Sequence, residues 1–157
     1  MARYAAKMGV TSAVTSNRGT VLPLPQDYAE MLGWEEQVKA VAAVYQKLAP
    51  EKQARADLVA SNYGGAGALE FYGARYGLPS RIMLPNDFLI WPPDPSCQVA
   101  VTLNIPPKDV EKFFGSVTLA DRVQTPWAIG YEQDVPICVA EKPIRDLSEA
   151  WVRRGFW

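Results

Sequence analysis

A short apolar segment, a cluster of glycines and a helical pattern follow one another between residues 54 and 79, and this order constrains the fold. The segment ARADLVA, residues 54–60, has the character of a short buried strand. The next segment, SNYGGAGALEFYGARYGLP, residues 61–79, contains five glycines and a run of small residues. Glycine-rich connections from a strand to a helix are typical of α/β folds, and some of them bind a phosphate. The first question is therefore whether these glycines hold a ligand or only serve packing.

The rest of the chain continues the alternation of strands and helices. In residues 35–50, Val38, Val41, Tyr45 and Leu48 recur at helical spacing, which predicts one apolar helix face that ends at Pro50. Residues 98–105, QVAVTLNI, are apolar and β-branched enough to predict a central strand. Further strands are predicted at residues 81–84, 116–124 and 136–142, and further helices at residues 24–34, 65–77, 106–115 and 146–154.

This alternation predicts an α/β fold, a layered sandwich with a mixed, mostly parallel central sheet and flanking helices. Residues 1–22 have weak periodicity, so we expect an arm or linker there and a single α/β domain over residues 23–157. Neither a secretory signal nor an apolar run long enough to cross a bilayer is visible, so we expect the chain itself to be soluble.

Composition excludes several classes of function. The chain of 157 residues carries 16 basic and 17 acidic side chains, so no basic field predicts binding to nucleic acid. It contains no histidine, which excludes histidine-based triads and histidine-ligated metals. Cys97 and Cys138 are too few and too far apart for a metal site, and their apolar surroundings predict buried free thiols. No metal, cofactor or catalytic residue is predicted.

The glycines only partly match a nucleotide-binding loop. Gly65 and Gly67 supply the first two positions of the dinucleotide pattern G-x-G-x-x-G, but Glu70 stands at the third. A phosphate-binding P-loop would need a lysine that this stretch lacks. We therefore favour a packing role, and a small stand-alone enzyme that binds a nucleotide or a sugar phosphate remains the alternative.

The segment LPNDFLIWPPDP, residues 84–95, combines carboxylate, amide and aromatic side chains between prolines. Carboxylates and amides bind sugar hydroxyls, and an aromatic ring lies against the sugar ring. Asn86, Asp87 and Trp91 are therefore candidates for ligand contact, although such a composition is also typical of a plain loop.

The glycine stretch also resembles the C-terminal region of bacterial membrane glycosyltransferases related to the dolichyl-phosphate-mannose–protein mannosyltransferases (glycosyltransferase family 39-like). The similarity covers roughly residues 22–152. The residues that carry the motif are Asn62, Tyr63, Gly64, Ala66, Gly67, Ala68, Phe71, Tyr72, Gly73, Tyr76, Gly77, Leu78 and Pro79. The chain departs from the family at Gly65, where relatives carry an acid, and at residues 84 and 85, where relatives carry Gly-His.

In that family a membrane-embedded part carries the catalytic acids and the site for the lipid-linked sugar. The resemblance implies that this chain is an extracytoplasmic accessory domain, which helps to position sugar or acceptor and does not itself catalyse transfer. Its expected partners are the membrane-embedded glycosyltransferase portion and a sugar or polyprenyl-phosphate sugar. The candidate substrate-binding residues are Asn62, Tyr63, Glu70, Asn86, Asp87 and Trp91. A third possibility is a protein-interaction module that docks through Trp151, Phe156 and Trp157.

Overall fold

The computed structural model describes residues 2–16, 19–83 and 97–144. Within these ranges the chain forms six α-helices and five β-strands. In chain order they are α1 (Ala2–Lys7), α2 (Gln26–Met31), α3 (Trp34–Gln46), α4 (Pro50–Gln53), β1 (Ala56–Ala60), α5 (Tyr63–Gly73), β2 (Ile82–Met83), β3 (Val99–Leu103), α6 (Pro107–Val110), β4 (Phe114–Gln124) and β5 (Asp134–Pro143). Short 3₁₀ turns lie at Thr11–Val14, Ala74–Tyr76 and Gly130–Glu132. The helix predicted over residues 146–154 lies outside the described residues.

The described residues form two compact units, one within residues 2–33 and 124–134 and one within residues 34–123 and 135–144. The larger unit contains a five-stranded mixed sheet with the strand order β2-β1-β3-β5-β4. β1 pairs in parallel with both β2 and β3, and β5 pairs antiparallel to β3. The predicted central strand is confirmed as β3. The sheet is mixed and its central pairs are mostly parallel, so the predicted α/β fold with flanking helices is confirmed.

One face of the sheet packs against α3 and α5. Leu58, Val101 and Ile137 on the strands are fully buried, and Val38 and Val41 on α3 are equally buried. Each such side chain contributes about 1.5–3 kcal/mol when it leaves water. The apolar face predicted for the helix after residue 35 is thus confirmed, although α3 ends at Gln46.

The core-facing side of α5 differs from the sequence pattern. The helical spacing placed Phe71 and Tyr72 with Ala68, but Phe71 is 79% exposed. The buried positions of α5 are Gly65, Ala68, Leu69 and Gly73. A Cβ atom added at Gly65 would lie 3.4 Å from Leu103 Cδ2 and 3.5 Å from Ala60 Cβ, so glycine lets the helix lie close to β1 and β3. Three of the four buried positions of α5 therefore carry glycine or alanine, and the fourth carries Leu69.

The opposite face of the sheet carries a second cluster of buried side chains. Val59, Ala100 and Ala140 project from the strands, and Val110 and Phe113 from α6 and the turn after it pack with them. Pro107 lies in the first turn of α6, as predicted. Cys97 and Cys138 are both buried and free, which confirms the expectation of buried free thiols.

The smaller unit lies within residues 2–33 and 124–134. In it, α1 precedes the 3₁₀ turn Thr11–Val14, and an isolated bridge pairs Thr15 with Val21. The N–H of Ile129 donates to the carbonyl of Ala29 at 2.9 Å, which holds the later segment against α2. Ala5 and Val14, which belong to the predicted arm, are buried. The predicted boundary at residue 22 stays a prediction.

Candidate functional site

The connection from β1 to α5 is short and is closed by an asparagine cap. Asn62 has extended backbone angles, φ −149° and ψ 170°, and its Oδ1 accepts a hydrogen bond from the N–H of Gly65 at 2.8 Å. Asparagine is among the preferred N-cap residues because it satisfies an amide that the helix leaves without a partner. The cap explains why this residue type stands at the end of β1.

The glycines after Asn62 lie inside α5, not in a loop before it. A Cβ atom at Gly64 would lie 3.1 Å from Cζ2 of Trp34, which is a tight contact. Gly65 allows the close approach to β1 and β3 described above. Packing therefore accounts for both residues without a phosphate, and the contacts favour the packing role that the sequence suggested.

A groove of about 420 Å³ lies along the outer face of α5. One wall is helical and consists of residues that share one face of a helix, at positions i, i+3, i+4, i+7 and i+11. These are Tyr63, Ala66, Gly67, Glu70 and Ala74. The other wall is the turn from α5 into β2. The lining residues are Tyr63, Ala66, Gly67, Leu69, Glu70, Ala74, Leu78, Pro79, Ser80 and Ile82.

Two of the six predicted site residues, Tyr63 and Glu70, come together in this groove. Tyr63 is 56% exposed, and Glu70 is exposed two helical turns further along α5. Between them Gly67 leaves the wall open, because a Cβ atom there would meet nothing within 4 Å. The groove thus combines one aromatic ring and one carboxylate.

The floor of the groove is aliphatic, because Leu69, Leu78 and Ile82 line it. A ligand with an apolar part would remove this surface from water at about 25 cal/mol per Å². Glu70 is the only carboxylate among the described residues that line the groove. Within that part of the chain the groove thus lacks the pair of carboxylates that glycoside chemistry uses. The arrangement suits binding.

Asn62 is not among the described residues that line the groove. Asn62 lies at the N-terminus of α5, where its side chain caps the helix. Asn86, Asp87 and Trp91 lie outside the described residues, so the predicted role of these three stays a prediction.

A second polar cluster, which the sequence did not single out, joins α3 to the turn after α5. The Tyr76 hydroxyl donates to Glu35, and Lys39 Nζ and Arg75 Nη1 each lie 3.5 Å from Glu35 Oε1. The hydrogen bond from Tyr76 is the largest of the causes that lower the pKa of Glu35. The Glu35–Lys39 pair has i,i+4 spacing and could have been found in the sequence. The contact with Tyr76, 41 positions away, depends on the fold.

A buried carboxylate on β1 was also missed. Asp57 is 1% exposed, and Arg81 Nε lies 3.3 Å from its Oδ1. Burial, followed by the charge of Asp57, raises the pKa of the Cys97 thiol to about 12. Cys97 therefore stays protonated at neutral pH and is a poor nucleophile.

No group of three or more potential metal ligands occurs within residues 2–16, 19–83 and 97–144.

Comparisons with known proteins give no match: no protein-family model, no curated protein and no solved structure is similar to this chain. The similarity to membrane glycosyltransferases therefore rests on the sequence motif that begins at Asn62 and on the segments beside it.

Proposed function

We propose that this chain is a non-catalytic binding domain of a membrane glycosyltransferase and that it holds sugar or acceptor near the enzyme. The observation that carries the proposal is the groove on α5, which places the exposed ring of Tyr63 and the carboxylate of Glu70 on one wall. The motif that begins at Asn62 supplies the link to glycosyltransferases. On this proposal, the catalytic groups belong to a membrane-embedded portion, and this domain lies on the extracytoplasmic side.

One end of the groove, at Tyr63, lies near the carboxyl end of β1, and the other end lies where the chain enters β2. Tyr63 is the first residue after the cap that follows β1. Ligands of open α/β sheets bind outside the carboxyl ends of the strands, near the first turns of the helices that follow. No described helix is long and apolar enough to span a bilayer.

The chemistry of the walls defines the class of ligand. A sugar ring can lie against Tyr63 while its hydroxyls donate to Glu70, because an ionised carboxylate only accepts hydrogen bonds. The aliphatic floor can take the apolar part of a lipid-linked sugar or of an acceptor. The same carboxylate repels a phosphate, so the phosphate of a polyprenyl-linked sugar would lie away from Glu70.

The first experiment is a titration of the chain with three soluble probes, followed by amide chemical shifts. Octyl glycosides below their micelle concentration present a sugar and an aliphatic chain, methyl glycosides present the sugar alone, and octyl phosphate presents the chain with an anion. We expect octyl glycosides to bind tightest and to shift the amides of α5 and of residues 78–82. If none of the probes perturbs these amides, the proposal is wrong.

Matched variants separate the groove from the rest of α5. Tyr63→Ala and Glu70→Gln should weaken octyl glycoside binding about 3- to 10-fold each, the loss typical of one ring or one hydrogen bond. Gly67→Leu should block binding, since its side chain would enter the groove. Phe71→Ala, on the same helix but outside the groove, is the control and should change nothing. In a transferase that carries this domain, the same variants should raise the apparent KM and leave kcat unchanged.

A further inference from the structure

Within the part of the chain that the structure describes, large apolar side chains are exposed mainly on the smaller unit. Exposed surfaces of this kind in a folded protein commonly mark an interaction site. Among the described residues, the larger unit exposes Tyr63, Phe71, Leu119 and Ile144. The smaller unit exposes Tyr4, Met8, Val10, Val21, Tyr28, Met31, Trp127 and Tyr131.

The side chains on and after α1 form a basic apolar surface, defined by Arg3, Tyr4, Lys7, Met8 and Val10. All five are exposed. Arg3 and Lys7 are four residues apart, and so are Tyr4 and Met8, so a cationic stripe runs beside an apolar stripe. This surface therefore offers two positive charges next to large apolar side chains.

The side chains on and beside α2 form an acidic apolar surface, defined by Asp27, Tyr28, Glu30, Met31 and Tyr131. Tyr28 is 68% exposed and Met31 58% exposed. The Tyr131 hydroxyl donates to Glu30 Oε1 at 3.2 Å, so the later segment of the unit extends the surface of α2. This surface has the same mixture of aromatic and methionine side chains as the first, but the opposite charge.

We propose that the basic apolar surface of one copy of this chain docks on the acidic apolar surface of a second copy, and reciprocally. A two-fold dimer makes each such contact twice, because residue i of one copy meets residue j of the other and the converse. Apolar burial supplies the attraction, and the opposite charges select the partner and the orientation. A bilayer is a poorer partner, because its anionic headgroups would repel Asp27 and Glu30. This inference does not depend on the proposed function.

The test is sedimentation velocity of the full chain over a range of concentrations, with three preparations. The first variant is Arg3→Glu combined with Lys7→Glu, and the second is Asp27→Lys combined with Glu30→Lys. Each variant alone places like charges in both contacts of its own dimer and should raise the dimer Kd at least tenfold. An equimolar mixture should form a heterodimer in which both contacts are complementary again, with a Kd close to that of the unmodified chain.

Tyr4→Ala and Tyr28→Ala should each weaken the dimer, whereas Leu119→Ala, an exposed position on the other unit, should leave it unchanged. Circular dichroism checks that every variant is folded. The proposal fails if the unmodified chain stays monomeric at the highest concentration reached, or if mixing the two charge variants does not restore association. It also fails if the chain is monomeric but binds phosphatidylcholine–phosphatidylglycerol vesicles through Tyr4 and Tyr28.

Discussion

Gly67→Ala is the substitution that most directly tests which glycines of α5 are packed against a neighbour and which are not. Gly67 lies inside the helix, its φ is not positive, and an added Cβ atom would meet nothing within 4 Å. No contact is therefore lost and none becomes too close. The only change is that alanine loses less backbone freedom than glycine when the helix forms.

The expected gain is the difference in helix propensity between the two residues, about 0.5–1 kcal/mol. For a chain of this size that corresponds to a rise in Tm of about 1–4 °C. Urea unfolding followed by circular dichroism gives the free energy of unfolding, and the midpoint should rise without a change in slope.

Gly64→Ala is the matched control on the same helix. It has the same propensity gain, but its Cβ atom would lie 3.1 Å from Trp34 Cζ2, and overpacking of this kind costs about 1–3 kcal/mol. We expect this variant to be less stable than the unmodified chain. If Gly67→Ala is destabilising, or if both variants gain equally, the assignment of one open and one packed glycine is refuted.

Three further predictions concern other residues. Tyr76→Phe should raise the pKa of Glu35 toward its ordinary value, as measured by carboxyl NMR titration. Because the folded state lowers the pKa of Glu35, this residue stabilises the fold at any pH above its ordinary pKa of about 4.3. That contribution is lost as the pH falls through the lowered pKa of the folded state. The Tyr76→Phe variant should therefore lose less stability than the unmodified chain between pH 6 and pH 3. Cys97 and Cys138 should not react with a thiol reagent at pH 8 until urea unfolds the chain, and early labelling of Cys97 would contradict its burial. Asn62→Ala should lower the free energy of unfolding by about 1 kcal/mol through loss of the cap, while Asn62→Asp should retain most of it; equal losses would show that the cap is not the cause.

The order of the main elements from α3 onward could be predicted because most of them leave a periodic pattern in the sequence, whereas the short helices α1 and α4 were not predicted. Val38, Val41 and Tyr45 are large, apolar and spaced for a helix, so the buried face of α3 was predicted correctly. The buried face of α5 was not, because Gly65 and Gly73 carry no side chain that a hydrophobic pattern can register. Closeness between a helix and a sheet favours small residues, and sequence periodicity alone does not reveal where that closeness occurs.

The groove could be predicted only in part. Tyr63 and Glu70 are seven residues apart on one helix, so their shared face follows from spacing. The part of the floor formed by Leu78 and Ile82 depends on how the chain returns to pair β2 with β1. The Asp57–Arg81 pair depends on the same return and was missed for the same reason.

In the motif that begins at Asn62, packing explains three residues but leaves two exposed aromatic residues, Tyr63 and Phe71, of which Tyr63 lines the groove and Phe71 does not. Asn62 caps α5, Gly64 lies against Trp34, and Gly65 allows the helix to approach β1 and β3. Each of these three would be required by the packing of the domain even if it bound nothing. Tyr63 differs, because more than half of its surface is exposed and burial cannot explain an aromatic residue there. A test of function should therefore begin with Tyr63, since substitution of Asn62 would change stability and binding together and could not separate them.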